Sequence, residues 1–419
     1  MKQSISSVKN PVRIVIIGAG NRANKYLEYA RMHPDRLQPV GVVDINTTRR
    51  QHIANEFQIS NSHCFSDYNT FFSQPFPADA VLISTPENIH YEPCIKAIEA
   101  GYHVLLEKPI AQRLEECLDI SAHAKCKGVH VGVCHVLRYH PYFLKIKEII
   151  DSGELGSVIS INHIASVGLD RSLHGFVRGL WRKEAKTNPM LIAKCCHDID
   201  LLLWFTKTPC RKLTSFGSLR WFRPENAPKN SSDRCINCSI EAKCPYSAVD
   251  LYYNRRDWIS NFDIPEGKKL NEVLLEELRH GIYGRCVFHC DNDVVDHQIL
   301  SMEMESGVTI NFSMDIFTSD DCRETHIKLT HGEIDGNETR LRVRKFRNNE
   351  ERIFDFSNVV KKPFHAGADL NLVDDFVKTL TSTGHELRTS IENSVESHRI
   401  CYEAERSRMT NKTIEFRNI

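Results

Sequence analysis

The sequence predicts an α/β protein whose N-terminal third is a doubly wound parallel sheet. Three observations predict it. β-branched apolar runs alternate with helix-compatible stretches over about the first 135 residues, a glycine turn follows the first run, and polar or charged residues stand where the runs end. At 419 residues the chain is too long for a single core, so a second domain is expected, with 1–135 divided from 136–419.

Val12-Arg-Ile-Val-Ile-Ile17 reads as the first strand. Gly18 permits a tight turn after it, Gly20 lets the backbone approach a pyrophosphate, and Ala23 takes the small packing position. Helical sequence runs on to about His33, and such a helix offers its free N–H groups and positive dipole end to phosphates. The second strand, from Leu37, ends at Asp44, an acid suited to accept the hydroxyls of an adenosine ribose. This favours NAD over NADP, although Arg49 and Arg50 follow closely enough to bind a 2′-phosphate. After a helix over 47–57, a strand runs from Asp79 to Pro86, and Glu87-Asn-Ile-His90 opens the next helix. The strand that starts after Gly101 ends in Glu107-Lys108-Pro109; proline stops it because it lacks the ladder N–H. A helix over 114–127 and a strand over 129–134 complete the pattern. Ligands bind at the carboxyl ends of strands in open α/β sheets, which here are Gly18, Gly20, Asn21, Arg22, Asp44, Ser84, Thr85, Pro86, Glu107 and Lys108. Taken alone, Glu107-Lys108 is an ordinary surface pair at a strand exit.

Three motifs in this order and spacing resemble the glucose-fructose oxidoreductase / inositol dehydrogenase / MocA (Gfo/Idh/MocA) family of nicotinamide-dependent sugar oxidoreductases: Gly-Ala-Gly-Asn-Arg-Ala at 18–23, Ser-Thr-Pro-Glu-Asn-Ile-His at 84–90, and Gly-Tyr-His-Val-Leu-Leu-Glu-Lys-Pro at 101–109. The resemblance implies an N-terminal Rossmann domain, a C-terminal α/β domain with a large open, mainly antiparallel sheet, and a nicotinamide held between them. It places Thr85, Asn88 and His90 near the cofactor, Glu107 beside it, and Lys108 near nicotinamide and substrate. It also implies a homodimer or homotetramer. The resemblance places the equivalent of Arg138-Tyr139 between the domains, and Trp181-Arg182 resembles a family pair near the substrate cleft, although Trp181 also suits plain packing.

Gly156 to His163 opens an alternating strand, and the Arg-, Gly- and aromatic-rich segment 168–186 has the length of a loop over an active site. Asn188-Pro189 signals a helix start. Within that helix Lys194, His197, Asp198 and Leu201 share a face, so an amine, an imidazole and a carboxylate come together. His197 matches the histidine of the family's second motif and Asp200 the acid three residues on. The family's usual aspartate four residues before that histidine is Ala193 here, and Lys194 or Asp198 is the substitute inferred for it. Removing hydride from a secondary alcohol needs a base for the hydroxyl proton and a positive group for the developing oxygen charge. Lys108 suits either task, His197 exchanges protons near neutral pH, and Lys194 is the third catalytic candidate. Asp198 joins Arg138, Trp181 and Arg182 as a substrate-binding candidate.

Residues 222–284 lose periodicity and carry Cys235-Ile-Asn-Cys238 and Cys244-Pro. These supply three of the four thiolates of a structural zinc, with Cys286, Cys290 or His289 as the fourth; free thiols in an ordinary loop are the favoured reading. Two alternating strands flank a Glu305-Ser-Gly307 turn, and strand pattern continues over 323–356 with turns at 331–332 and 335–337. Helices are expected over 368–381 and 391–407.

Lys plus Arg and Asp plus Glu balance at 54 each, which removes the electrostatic case for a nucleic-acid or membrane-surface partner. No apolar run approaches the ~20 residues of a membrane span. The first ten residues have no apolar core of a signal peptide, and fifteen cysteines scattered through predicted helices and strands suit reduced thiols in a cytoplasm. The expected activity is NAD-dependent oxidation of a secondary hydroxyl of a sugar, glycoside or cyclic polyol. Second stands an NAD-dependent glycoside hydrolase that works by transient oxidation and elimination.

Overall fold

A computed structural model of the chain describes residues 10–416 except 260, 261, 263, 266, 348, 349 and 362. Two compact units emerge: Met1–Glu148 with Ile199–Trp204 and Phe356–Arg399, and Ile149–Asp198 with Phe205–Asp355 and Ile400–Ile419.

Near-continuous apolar runs such as Val12–Ile17 suit strands covered on both faces, and in the first unit they form one parallel sheet. Its strands are β1 (Val12–Ile17), β2 (Leu37–Val43), β3 (Cys64–Phe65), β4 (Ala80–Ile83), β5 (His103–Leu106) and β6 (Val131–Val133), in the order β3-β2-β1-β4-β5-β6. Gly18 turns the chain out of β1 at φ +92°, and a Cβ there would lie 2.7 Å from the Thr85 amide nitrogen, so glycine is required twice over. The helix Asn21–Met32 follows and packs Ala23, Tyr26, Leu27 and Ala30 into the core.

Residues 356–399, which the division at 135 assigns to the second domain, cluster with the first unit. The cause is the helix Ala368–Thr381, whose Leu372, Val373, Phe376 and Val377 join Ile14, Ile16 and Leu82 in one apolar cluster. A stripe at this spacing identifies a buried face and leaves its partner open.

The second unit is built on a nine-stranded sheet. After β7 (Val158–Ser166) and β8 (Cys210–Ser218) come β9 (His297–Met304), β10 (Thr309–Asp315), β11 (Arg323–Leu329), β12 (Gly332–Asn337), β13 (Arg340–Lys345), β14 (Glu351–Asp355) and β15 (Ile414–Glu415). The order is β14-β13-β12-β11-β7-β10-β9-β8-β15, and among these ladders only β7 with β10 is parallel. Buried and exposed residues alternate along β9, as on a sheet packed on one face.

Three local expectations change. The turn placed at 335–337 falls at 338–339, because Asn337 accepts hydrogen bonds from the Thr339 and Arg340 amides and closes the β12–β13 hairpin. The region 222–284 contains the helix Leu270–His280, with Leu274 and Leu278 buried. The segment 168–186 is a chain of short helical turns rather than an open loop, and its His174 stacks on Trp258 and Tyr283 of the cysteine-bearing region.

Candidate active site

Parallel pairing of β1, β2, β4 and β5 brings their carboxyl ends to one edge of the first sheet, and with them Gly18, Asp44, Ser84 and Glu107. Ser84 Oγ donates to the Gly18 carbonyl at 2.8 Å, which locks the glycine turn onto β4. Nothing lies within 4 Å of where a Cβ on Gly20 would stand, so the backbone at the start of the helix is open to approach. Asn21, the first residue of the helix, is exposed. Asp44 Oδ2 accepts from the Ala19 amide at 2.6 Å and Oδ1 from the Asn46 amide at 2.7 Å, fixing the carboxylate at the edge of the sheet. The Arg50 guanidinium donates to the Asp44 carbonyl and to Thr47 Oγ1. Open backbone N–H groups at a helix start beside an oriented acid fit a dinucleotide: Gly18, Gly20, Asn21 and Arg22 would hold the pyrophosphate and Asp44 the ribose.

Arg22 lies in the first turn of the same helix. Its Nε donates to Glu107 Oε1 at 2.5 Å, its Nη2 to Asp369 Oδ1 at 2.7 Å, and its guanidinium also bonds the Tyr26 hydroxyl. Tyr26 donates to the same Glu107 oxygen at 2.6 Å, and Glu107 Oε2 accepts from the Lys108 amide at 2.8 Å. Burial disfavours charge on Glu107, yet Arg22 and Lys108 hold its carboxyl below the usual range. Burial likewise opposes the charge of Asp369, while His365 and Arg22 bring it down to about 2.

On the β4 side Thr85 Oγ1 donates to the Ile89 carbonyl, and Pro86 and Asn88 are exposed. His90 is buried, with Nδ1 2.8 Å from the Pro109 carbonyl and Nε2 3.0 Å from the Thr85 carbonyl. It therefore ties the strand exit at 85 to that at 109. Lys108 is half-buried and its bond to Pro109 is cis. Two residues on, the Ile110 amide donates to His398 Nε2 at 3.0 Å. His398 is fully buried, and burial, with His135 adding repulsion, pushes it down to about 3.

The helix Met190–Thr206, whose residues up to Asp198 belong to the second unit, carries the chemistry candidates. Lys194 is buried, with Nζ 3.3 Å from Asp321 Oδ1; burial and the nearby Arg171 push its amine down to about 8 against the pull of Asp321. His197, one turn on, is half-buried. Asp198 is fully buried and its Oδ1 is engaged by Arg323 Nε at 2.5 Å and His163 Nε2 at 3.1 Å. Burial opposes its charge, but Arg323 and His163 hold the carboxyl far below the usual range, so Asp198 stands inside a buried ion-pair cluster. Arg138, in the first unit, is also buried and forms a two-pronged pair with Asp200 at 2.6 and 2.7 Å. Arg182 Nε is bonded to Asp291 at 2.7 Å, while Trp181 is 38% exposed beside Phe176.

Sequence reasoning missed Tyr26, Asp369, His398, Asp321 and Arg323. The i,i+4 pairs Arg22–Tyr26 and His365–Asp369 were local signals among them; the contacts of Asp321 and Arg323 with the helix of Lys194, and that of His398 with Ile110, act across long sequence separations.

The NAD-binding Rossmann-fold model of the Gfo/Idh/MocA oxidoreductase family matches residues 12–135, and the family's C-terminal domain model matches 143–243. The chain belongs to the Gfo/Idh/MocA family. Residues 12–135 are thus an NAD-binding domain, and the second matched region carries Lys194 and His197. A Bacillus subtilis (strain 168) protein that carries an oxidoreductase name, YteT, is 22% identical over 266 residues, 62% of this chain and 60% of its own length. The 2,7-anhydro-N-acetylneuraminate hydratase of Escherichia coli K12 is 29% identical over 185 residues, covering 44% of this chain and 47% of that protein. The match thus spans about half the length of these relatives. An oxidoreductase from Agrobacterium radiobacter, solved with NAD+, L-tartaric acid and magnesium, shares the family fold at 14% identity with a TM-score of 0.71 over 97% of this chain and 98% of that one.

Proposed function

We propose that the protein is an NAD-dependent dehydrogenase that oxidises a secondary hydroxyl of a sugar, glycoside or cyclic polyol. The observation that carries this reading is the common edge of the first sheet, where an open glycine turn, an oriented ribose-binding acid and Lys108 stand at the ends of β1, β2 and β5. NAD, when bound, supplies the hydride acceptor. Gly18, Gly20, Asn21 and Arg22 hold its pyrophosphate, and Asp44 selects it over NADP by taking the space and charge that a 2′-phosphate would need. Ser84, Thr85, Pro86, Asn88, His90 and Glu107 complete the cofactor wall.

Lys108 stabilises negative charge on the substrate oxygen or takes its proton. His197 is the second proton carrier, and Lys194, with an amine already near 8, substitutes for the acid absent at Ala193. Arg138, Trp181, Arg182 and Asp198 are the substrate-binding assignments. Phe216 and Ile299, paired across β8 and β9, are 55% and 49% exposed and support a homo-oligomer formed through the open sheet face.

A second reading is favoured by the hydratase relative: hydride removal and return within one turnover, with elimination and water addition between them, giving a lyase or glycosidase with no net redox change. Anaerobic incubation with a panel of sugars, polyols and aryl glycosides, following nicotinamide absorbance and released aglycone together, separates the two. Stoichiometric NADH without aglycone supports the dehydrogenase. Aglycone release with the nicotinamide unchanged selects the second reading, and no change with any substrate defeats both.

A further inference from the structure

The cysteine-bearing region has a small core of its own, in which Cys235, Ala248, Leu251, Tyr252, Leu274 and Leu278 are buried. A core this size gives little stability to a long aperiodic segment, and natural folds of this kind are commonly held by disulfides or a metal ion. No disulfide is formed; all fifteen cysteines are free thiols.

Four of those cysteines stand around one small space. Cys235, Cys238, Cys244 and Cys286 line one cavity of about 20 Å³, room for a single ion or water rather than a multi-atom cluster. Two short turns bring the first three together: the Cys238 amide donates to the Cys235 carbonyl at 3.1 Å, and the Cys244 amide to the Glu241 carbonyl at 2.9 Å. The fourth arrives from 42 residues further on because Arg234 and Arg285 form an antiparallel bridge and the Cys286 amide donates to the Asp233 carbonyl at 2.8 Å. The structure thereby selects Cys286 among the three fourth ligands the sequence leaves open. Cys290 does not line the cavity, and its thiol donates to the Cys286 carbonyl at 3.2 Å. The four thiols are not drawn in to coordination distance, since no described group of three ligand side chains is arranged to hold a metal as it stands.

An independent observation sits beside them. Arg178 is fully buried, its Nε and Nη2 donate to the carbonyls of Arg285 and Tyr246, and Nη2 lies 3.7 Å from Cys235 Sγ. Its Nη1 has no hydrogen-bond partner, and among the described residues no carboxylate pairs with it. A buried guanidinium without an anion is costly. Four thiolates around a divalent cation carry two net negative charges and supply that anion.

We propose that Cys235, Cys238, Cys244 and Cys286 bind one zinc-type divalent cation as a tetrathiolate structural site, with Arg178 as its buried counter-charge. Each ligand loses its thiol proton to solvent as the metal–sulfur bond forms, with no change of oxidation state. The site fastens the 222–290 region to the turns around Arg178.

The test uses the full chain produced in zinc-supplemented medium and purified without chelator. Metal analysis is expected to find about one zinc per chain, released by a thiol-reactive mercurial. Cys238→Ser and Cys286→Ser should lose most of it and Cys290→Ser should keep it. Should the ligand variants fail to fold, cobalt exchanged into the wild-type protein should give the intense thiolate charge-transfer and tetrahedral ligand-field absorption of four sulfur ligands. Metal-free protein that also gives no such cobalt spectrum overturns the proposal. So does iron with acid-labile sulfide in place of zinc, or loss of metal from Cys290→Ser with retention in Cys286→Ser.

Discussion

Arg22 Nε donates to Glu107 Oε1 at 2.5 Å, joining the first turn of the helix Asn21–Met32 to the exit of β5. The same carboxylate fixes the Lys108 amide through its other oxygen, so one buried acid sets both the cofactor-binding helix and the residue assigned to the chemistry. Glu107→Gln keeps the shape and removes the charge that Arg22 and Tyr26 converge on. The variant should lose roughly 1–3 kcal/mol of stability in chemical denaturation and bind NAD more weakly in a fluorescence titration. Wild-type values for both would mean the pair is incidental.

Asp44 is held by two backbone amides, so its removal loosens the glycine turn as well as the ribose contact. Asp44→Ser should raise the NAD Kd about tenfold, a loss of roughly 1.4 kcal/mol, and should raise it less for NADP. Parallel titrations of the two cofactors measure the ratio. An unchanged ratio would remove Asp44 as the selecting residue.

Lys194 has an amine pushed down to about 8 by burial and by Arg171, with Asp321 as the opposing pull. As a base it works deprotonated, so turnover should rise as pH climbs through about 8. Removing Asp321 takes away the group that holds the proton on, so Asp321→Asn should move the rising limb to lower pH, and Lys194→Met should abolish it. A limb that stays in place in both variants would assign it to another group.

His398 accepts from the Ile110 amide, and its Nδ1 lies 3.2 Å from the Ser394 carbonyl, an arrangement that needs the neutral ring. Its value falls from 6.5 to about 3 on folding, so its contribution to stability is whole above pH 6.5 and is lost as pH falls toward 3. The buried His174, brought down to about 4 chiefly by burial, acts in the same direction. Denaturation midpoints should therefore decline through this window by a few kcal/mol in all, and His398→Gln, which keeps an acceptor for Ile110, should flatten the decline. An equal slope in the variant would refute the assignment.

The N-terminal sheet was legible because each element announces itself locally: the run Val12–Ile17 is apolar throughout, Gly18 can be nothing but glycine, and Asp44 stands at a predictable distance. What escaped was set by contacts remote in sequence. The stripe Leu372–Val377 signals a buried helix face, but nothing in it says that the face returns to the first sheet. The partners of Asp198 and Arg138, namely Arg323, His163 and Asp200, lie far from them in sequence and leave no local signal. The helix Leu270–His280 was readable from Leu270, Leu274 and Leu278 and was lost in an otherwise aperiodic stretch. Cys286 joins the other three cysteines through the Arg234–Arg285 bridge, which the sequence does not encode locally.

The most direct measurement follows a label. The sugar or polyol selected by the substrate panel is prepared with deuterium on the carbon that bears the reacting hydroxyl and mixed anaerobically with the NAD-loaded protein. The nicotinamide is then recovered for mass analysis. Deuterium should appear on the reduced nicotinamide, with transfer slowed at least a hundredfold in Lys108→Met and His197→Ala while NAD binding stays within about threefold, a loss of roughly 2.7 kcal/mol or more in transition-state stabilisation. Recovery of unlabelled nicotinamide from protein that has turned its substrate over would contradict net dehydrogenation as the reaction.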